Sequence, residues 1–238
     1  MTLEHLQFGS DLEALERLVP LNGRRVVHPG CGDGGVCFTL AKRGASVLGV
    51  DSDPVRAQEN RVLGTFERVT LVEGFAQNLP ENDGTVDCVI MMNFLSRLDA
   101  DDMDDCLAEA CRVLKEADGF LYVVDDDTSG SYDDMLRIFD DRSSERAWAL
   151  EALQEMLQDV FASAREIHYN LRQKFPDFEA FLNMILSADK TGITIEDVDT
   201  DYVKALFEQG RQKNNFEFEQ ARRVDLYRTG NATLAPVS

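Results

Sequence analysis

Apolar residues recur along this chain in two rhythms. Leu12, Leu15 and Leu18 fall at helical spacing within residues 10–19, behind Ser10, whose hydroxyl suits an N-cap. Arg25 to Pro29 is a short apolar run leading into a glycine-rich turn. A helix is expected from that turn to about Arg43, with Gly44 in the position that follows a helix C-terminus. SVLGVD (46–51) reads as a buried strand ending in an acid. Asp53-Pro54 then supplies an N-cap and a proline at the first helical position, opening a helix to about Thr65. VTLVEG (69–74) and VDCVIMMN (86–93) are continuous apolar runs, as strands buried on both faces should be. Met103, Leu107, Cys111 and Leu114 mark one face of a helix between Asp99 and Lys115, and GFLYVVDDD (119–127) is a fifth strand.

Strands alternating with helices predict an α/β fold, a doubly wound and mostly parallel sheet with helices on both faces. After Asp127 the pattern changes. Residues 131–160 read as helical, REIHYNL (165–171) as a strand, FPDFEAFLNMIL and DYVKALFEQGR as helices, and NFEFEQARRVDLYRT as a long closing strand. The expected sheet has seven strands, the last antiparallel, with helical insertions in the C-terminal part. At 238 residues, one domain over 1–238 is the economical reading. It divides into a ligand-binding core at 20–127, covering helices and a closing strand pair at 128–229, and a tail at 230–238.

Charge narrows the partners. Lys and Arg number 24 against 44 Asp and Glu, a net −20. Such a surface repels phosphate backbones and anionic lipid, so neither nucleic acid nor a membrane is the expected partner. Solubility or adaptation to salt explains the acidity as well. The five cysteines, Cys31, Cys37, Cys88, Cys106 and Cys111, form no CxxC pair and fall in core or helical segments. That is the usage of reduced thiols in a cytoplasmic protein. A metal site is disfavoured, since His5, His28 and His168 are the only histidines. The N-terminus carries no apolar signal-peptide core, and no run reaches the ~20 apolar residues of a membrane span.

The candidate chemistry begins at VVHPGCGDGG (26–35), where Gly30, Gly32 and Gly35 complete GxGxxG between a strand and a helix. Glycines there let backbone approach a ligand at the helix N-terminus. Asp51 ends the next strand and suits the two hydroxyls of a ribose, Asp53 being placed to cap the following helix. Both dinucleotide and S-adenosylmethionine proteins use such turns.

GCGDGG, VLGVDSDP, EGFAQNLP, VDCVIMMNFLSRL and CRVLKEADGFLYVV resemble the successive motifs of class I S-adenosylmethionine-dependent methyltransferases over about residues 20–127. The resemblance implies a Rossmann-like fold, S-adenosylmethionine as cofactor and methyl transfer as activity. It also implies that Gly30, Cys31, Gly32 and Asp33 line the methionine moiety, and that Asp51 holds the ribose with Ser52 beside the adenine. Phe75 and Ala76 would sit at the adenine edge, and Met92 and Asn93 would face the sulfonium. Three positions depart from the pattern. His28 stands where an acid usually orients the methionine end, Phe75 replaces a common Asp, and Ser96-Arg97 replace a pair that often contains histidine. Phe75 suits stacking on adenine. His28 is counted among the cofactor-binding residues at that position, the alternative being a histidine satisfied by backbone.

Acceptor-side candidates follow the fourth and fifth strands, because ligands bind beyond the carboxyl ends of parallel strands. They are Arg97, Asp125, Tyr132, Trp148 and His168, with core packing the stronger reading for Tyr132 and Trp148. Methyl transfer asks for alignment and exclusion of water more than for a catalytic constellation. The leading expectation is methylation of a small molecule, ahead of a non-catalytic methyltransferase-like scaffold. A nicotinamide-dependent oxidoreductase ranks last, since the chain has no Tyr-x-x-x-Lys pair.

Overall fold

The computed structural model describes residues 2–53, 67–157, 160–187 and 192–230. The helix expected from Asp53-Pro54 and the tail after Gly230 lie outside them.

The described strands are β1 (Thr2–His5), β2 (Arg25–Pro29), β3 (Ser46–Asp51), β4 (Val69–Glu73), β5 (Cys88–Met92), β6 (Phe120–Asp126), β7 (Ser163–Phe175) and β8 (Phe216–Arg228). They form one sheet in the order β1-β7-β8-β6-β5-β2-β3-β4. β8 runs antiparallel to both β6 and β7, and every other pairing is parallel. The fold is thus the doubly wound α/β sheet expected, with its last strand reversed. It has eight strands rather than seven, because Thr2–His5 adds at the edge beside β7. Those four residues show no apolar alternation, so only the pairing reveals the strand.

Strand order reverses between β2 and its neighbours β3 and β5, which opens a crevice at the carboxyl ends of these strands. The inner strands alternate side chains between two apolar layers. Val26, Ile90, Tyr122 and Val124 meet Leu15 of α1 (Asp11–Leu18) and Leu40 of α2 (Gly35–Lys42) on one face. Val27, Val89, Leu121 and Val123 meet Met103 and Leu107 of α3 (Ala100–Val113) and Leu153 of α5 (Ser143–Leu157) on the other. Ser10 caps α1 as expected, its hydroxyl accepting from the Glu13 N–H.

β7 and β8 are paired over their whole length, whereas β6 stops opposite Arg222. Their far halves therefore project past the carboxyl edge of β6. Phe175, Phe216 and Phe218 there join Tyr132 and Met135 of α4 (Ser131–Leu136), Phe181 of α6 (Phe178–Ser187), Val198 of α7 (Ile195–Val198) and Val203 and Phe207 of α8 (Asp201–Gln209). This aromatic lobe is the helical material expected to cover the acceptor. It stands on the side of the sheet where ligands bind.

Candidate active site

The cofactor-side candidates converge at the carboxyl ends of β2 to β5. The turn after β2 places Gly30, Gly32 and Gly34 at positive φ, and Gly34 caps α2. Backbone hydrogen bonds tie this turn to the next strand: the Cys31 N–H donates to the Val50 carbonyl at 3.3 Å. Asp51 completes the tie, accepting the Gly32 N–H at 2.8 Å and the Asp53 N–H at 3.0 Å, one on each carboxylate oxygen. Each oxygen keeps a second lone pair for a ligand hydroxyl. Asp51 therefore shapes the loop as well as standing where the ribose is expected.

β4 ends beside it, with the Gly74 N–H donating to the Asp51 carbonyl at 3.0 Å. Ala76 is buried, while the Phe75 ring is 64% exposed, an apolar face left open next to Asp51. Ser52 and Asp33 are exposed at the same edge. Asp33 also accepts the Gly35 N–H at 2.9 Å, which closes the turn.

His28 is buried, and its Nδ1 lies 2.9 Å from the Ile90 carbonyl, so Nδ1 carries the proton and donates. Burial pushes its pKa down, and it is neutral at pH 7. The residue is thus a backbone-satisfied core histidine and supplies none of the negative charge of the acid it replaces.

β5 gives the clearest sign of a ligand. Met92 is half-buried at its end. Asn93 follows at φ 49°, a left-handed backbone uncommon for a side-chain-bearing residue. Its N–H donates to the Val124 carbonyl at 2.8 Å, but its side-chain Oδ1 is buried and has no hydrogen-bond partner among the described residues. A buried acceptor left unpaired costs roughly 1–3 kcal/mol. A ligand N–H delivered to the edge removes that cost, which fits the ammonium of a methionine moiety. Phe94 next packs so closely on Gly30 that a Cβ there would lie 2.1 Å from its ring. Gly30 is therefore required for this contact as well as for its φ.

The acceptor-side candidates disperse. Arg97 is exposed, and its Nε donates to the Asn93 carbonyl at 2.9 Å. Tyr132 is in the aromatic lobe, stacked on Phe175 with ring centroids 6.2 Å apart. Trp148 is about half exposed on α5. His168 lies between Asp127 (2.9 Å) and Glu166 (2.7 Å). Asp125 also sits near the cofactor edge, accepting the Ser96 hydroxyl at 2.8 Å. A cavity of about 230 Å³ opens there, between the end of β6, α5 and β8. Its charged lining includes Arg146 and Arg223, which sequence reasoning missed because neither belongs to a motif.

A glycine turn, an acid at the end of β3 and, after β5, an acceptor with no partner among the described residues thus meet at one carboxyl edge of a doubly wound sheet. Residues 26–117 match a protein family described as a methyltransferase domain. Over that stretch the chain is similar to methyltransferase domains, and its fold as a whole is the Rossmann-like one of class I methyltransferases.

Among curated proteins, an uncharacterised methyltransferase of Synechocystis is 29% identical over 109 residues, covering 46% of this chain and 50% of that protein. A ubiquinone biosynthesis O-methyltransferase of Vibrio parahaemolyticus is 32% identical over 87 residues, covering 35% of this chain and 37% of that protein. The matched region thus spans half or less of the length of these relatives. Among solved structures, a candidate methyltransferase from Bacillus halodurans aligns with a TM-score of 0.65 at 20% identity, over 94% of this chain and all of that one. The YcgJ protein of Bacillus subtilis aligns with a TM-score of 0.64 at 16% identity, over 93% and 98% of the two chains. These likenesses extend the shared fold past residue 117 to the closing strands.

Proposed function

We propose that the protein transfers a methyl group from S-adenosylmethionine to a small molecule. The observation that carries this reading is the buried Asn93 Oδ1, without a hydrogen-bond partner among the described residues, at the same carboxyl edge of the sheet as Asp51 and the glycine turn. When bound, the cofactor supplies an electrophilic methyl group on a sulfonium. The chain's own residues bind and align. Gly32 and its neighbours bring backbone against the methionine end, Asp51 accepts from the ribose hydroxyls, and the open face of Phe75 stacks on the adenine. Asn93 Oδ1 accepts from the ammonium.

The carboxylates of the surface support a small acceptor over a nucleic acid, and the ubiquinone-pathway relatives are named for a small-molecule reaction. The aromatic lobe past β6 supports the same reading, since it stands on the carboxyl side of the sheet, where it is placed to cover an acceptor. No helix among the described residues is long and apolar enough to cross a membrane. Four of the five free cysteines are buried, which supports a reducing, cytoplasmic setting.

The test is Asp51→Ala, followed by calorimetric titration with S-adenosylhomocysteine and by circular dichroism. The expected outcome is a loss of affinity of at least tenfold with the helical signal retained. Unchanged affinity would remove Asp51 from the site and with it this account of the cofactor edge.

A further inference from the structure

The cavity beyond β6 is lined on one side by Val123, Ala149, Leu150 and Leu153, and on the other by charged groups. Most of those charges are already matched. Arg146 pairs with Asp133, Arg223 with Asp225 and Glu166, and Asp126 with Arg222, while Asp127 shares a hydrogen bond with the His168 ring. Asp125 is the exception. Ser96 donates to it at 2.8 Å, but among the described residues no cation pairs with it. A carboxylate on a cavity wall with no cation in ion-pair contact among the described residues favours a ligand that brings one. The walls opposite are apolar, and 230 Å³ is below the roughly 300–1,000 Å³ of drug-sized sites. The ligand is therefore small, with an aliphatic body and a cationic head.

The cavity also lies where an acceptor is needed. Met92 and Val124 are partners across β5 and β6, and the Asn93 N–H donates to the Val124 carbonyl. Asp125 is thus one strand away from Asn93, roughly 5 Å at sheet spacing. Building on the methyltransferase reading above, we propose that this cavity seats the methyl acceptor and that the acceptor is a small aliphatic amine: its ammonium N–H groups donate to Asp125, one N–H proton passes to that carboxylate, and the freed nitrogen lone pair forms the new N–C bond as the C–S bond to the methyl group breaks and S-adenosylhomocysteine leaves.

The test uses the full chain saturated with S-adenosylhomocysteine and three probes of one shape, 3-methylbutylamine, 3-methylbutanol and 3-methylbutanoate. Binding is followed by calorimetry and by the methyl resonances of Leu150 and Leu153. The amine should bind at least tenfold more tightly than the alcohol, the carboxylate should not bind, and both leucine signals should shift. Asp125→Asn should cost the amine at least tenfold and leave S-adenosylhomocysteine binding unchanged. Ala147→Phe, which fills the cavity from an exposed position, should abolish amine binding while sparing the cofactor site. Equal binding of amine and alcohol, no binding of any probe, or full amine affinity in Asp125→Asn would overturn the proposal. Failure of S-adenosylhomocysteine itself to bind would instead overturn the methyltransferase reading, whatever the amine does.

Discussion

Asp125 and His28 show how burial sets the charge of single residues at this site. Burial raises the Asp125 carboxyl to a pKa of about 6, although the Ser96 hydrogen bond and the nearby Arg222 pull it down. The folded protein therefore holds a proton there that the unfolded chain has already lost. The resulting cost builds as pH rises from about 4 to about 6 and is fully present above that. Asp125→Asn removes it, so the variant should be more stable than the parent at pH 7.5, by about 1–3 kcal/mol at 1.36 kcal/mol per pKa unit. Urea unfolding at pH 5 and pH 7.5 checks this: the gain should be larger at pH 7.5, and an equal gain at both would contradict the assigned cause. His28 works in the opposite sense. Its lowered pKa contributes stability that is present above the ordinary histidine range and lost as pH falls through the folded value. His28 was legible as a backbone-satisfied histidine, because its position inside an apolar strand left little else for it to do. The lack of a counter-charge for Asp125 was not legible, because it depends on where every neighbouring arginine points.

Among the elements, the glycine turn and β3 depend on closeness as much as on flexibility. Gly49 sits at the centre of β3, where a Cβ would lie 2.5 Å from Leu71 Cδ2, 2.8 Å from Cys31 Sγ and 2.9 Å from Cys37 Sγ. The cofactor turn and α2 thus rest on that one bare backbone. Gly49→Ala should destabilise the protein by about 1–3 kcal/mol, the usual cost of overpacking, and should weaken S-adenosylhomocysteine binding by displacing Cys31. Chemical denaturation beside calorimetry separates the two effects, and a stable variant with a weakened site would show that the turn alone had moved. The inner strands were readable because strands buried on both faces are continuous apolar runs in sequence. β1 was unreadable for the converse reason, being four mostly exposed residues whose only recommendation is a neighbour far along the chain. β7 extends to Phe175, past the segment its pattern suggested, since its outer half alternates with one face on the aromatic lobe and the other in water.

Across the whole molecule, one buried arginine joins the N-terminal helix to the carboxyl edge. Arg222 on β8 is 1% exposed and donates through Nε and Nη2 to Asp11 of α1, at 3.0 and 2.9 Å. Its Nη1 donates to Asp126 at the end of β6, and Tyr169 donates to Asp11 as well. Removing one partner of a buried pair costs about 3–5 kcal/mol. Asp11 and Asp126 are partly exposed and regain some hydration, so Arg222→Ala should lie near the lower end, about 3 kcal/mol. A thermal melt close to that of the parent would show the network to be dispensable. No motif pointed to it, since Asp11, Asp126 and Arg222 come from distant parts of the chain. The same holds for the cavity, whose lining comes from residues 123–128, 143–153 and 223–225. The convergence of the glycine turn, Asp51 and Asn93 at one edge was legible because each piece is a short local motif. The acceptor side was not, because it exists only once those three segments are folded together.

On the proposed function, this carboxyl edge binds S-adenosylmethionine. Calorimetric titration of the purified chain with S-adenosylhomocysteine, with NADH as the control, tests it most directly. Micromolar binding of S-adenosylhomocysteine alone is the predicted result. Binding of neither would mean that the neutral His28 and the exposed Phe75 mark a site that no longer holds the cofactor, and binding of NADH alone would return the glycine turn to a dinucleotide.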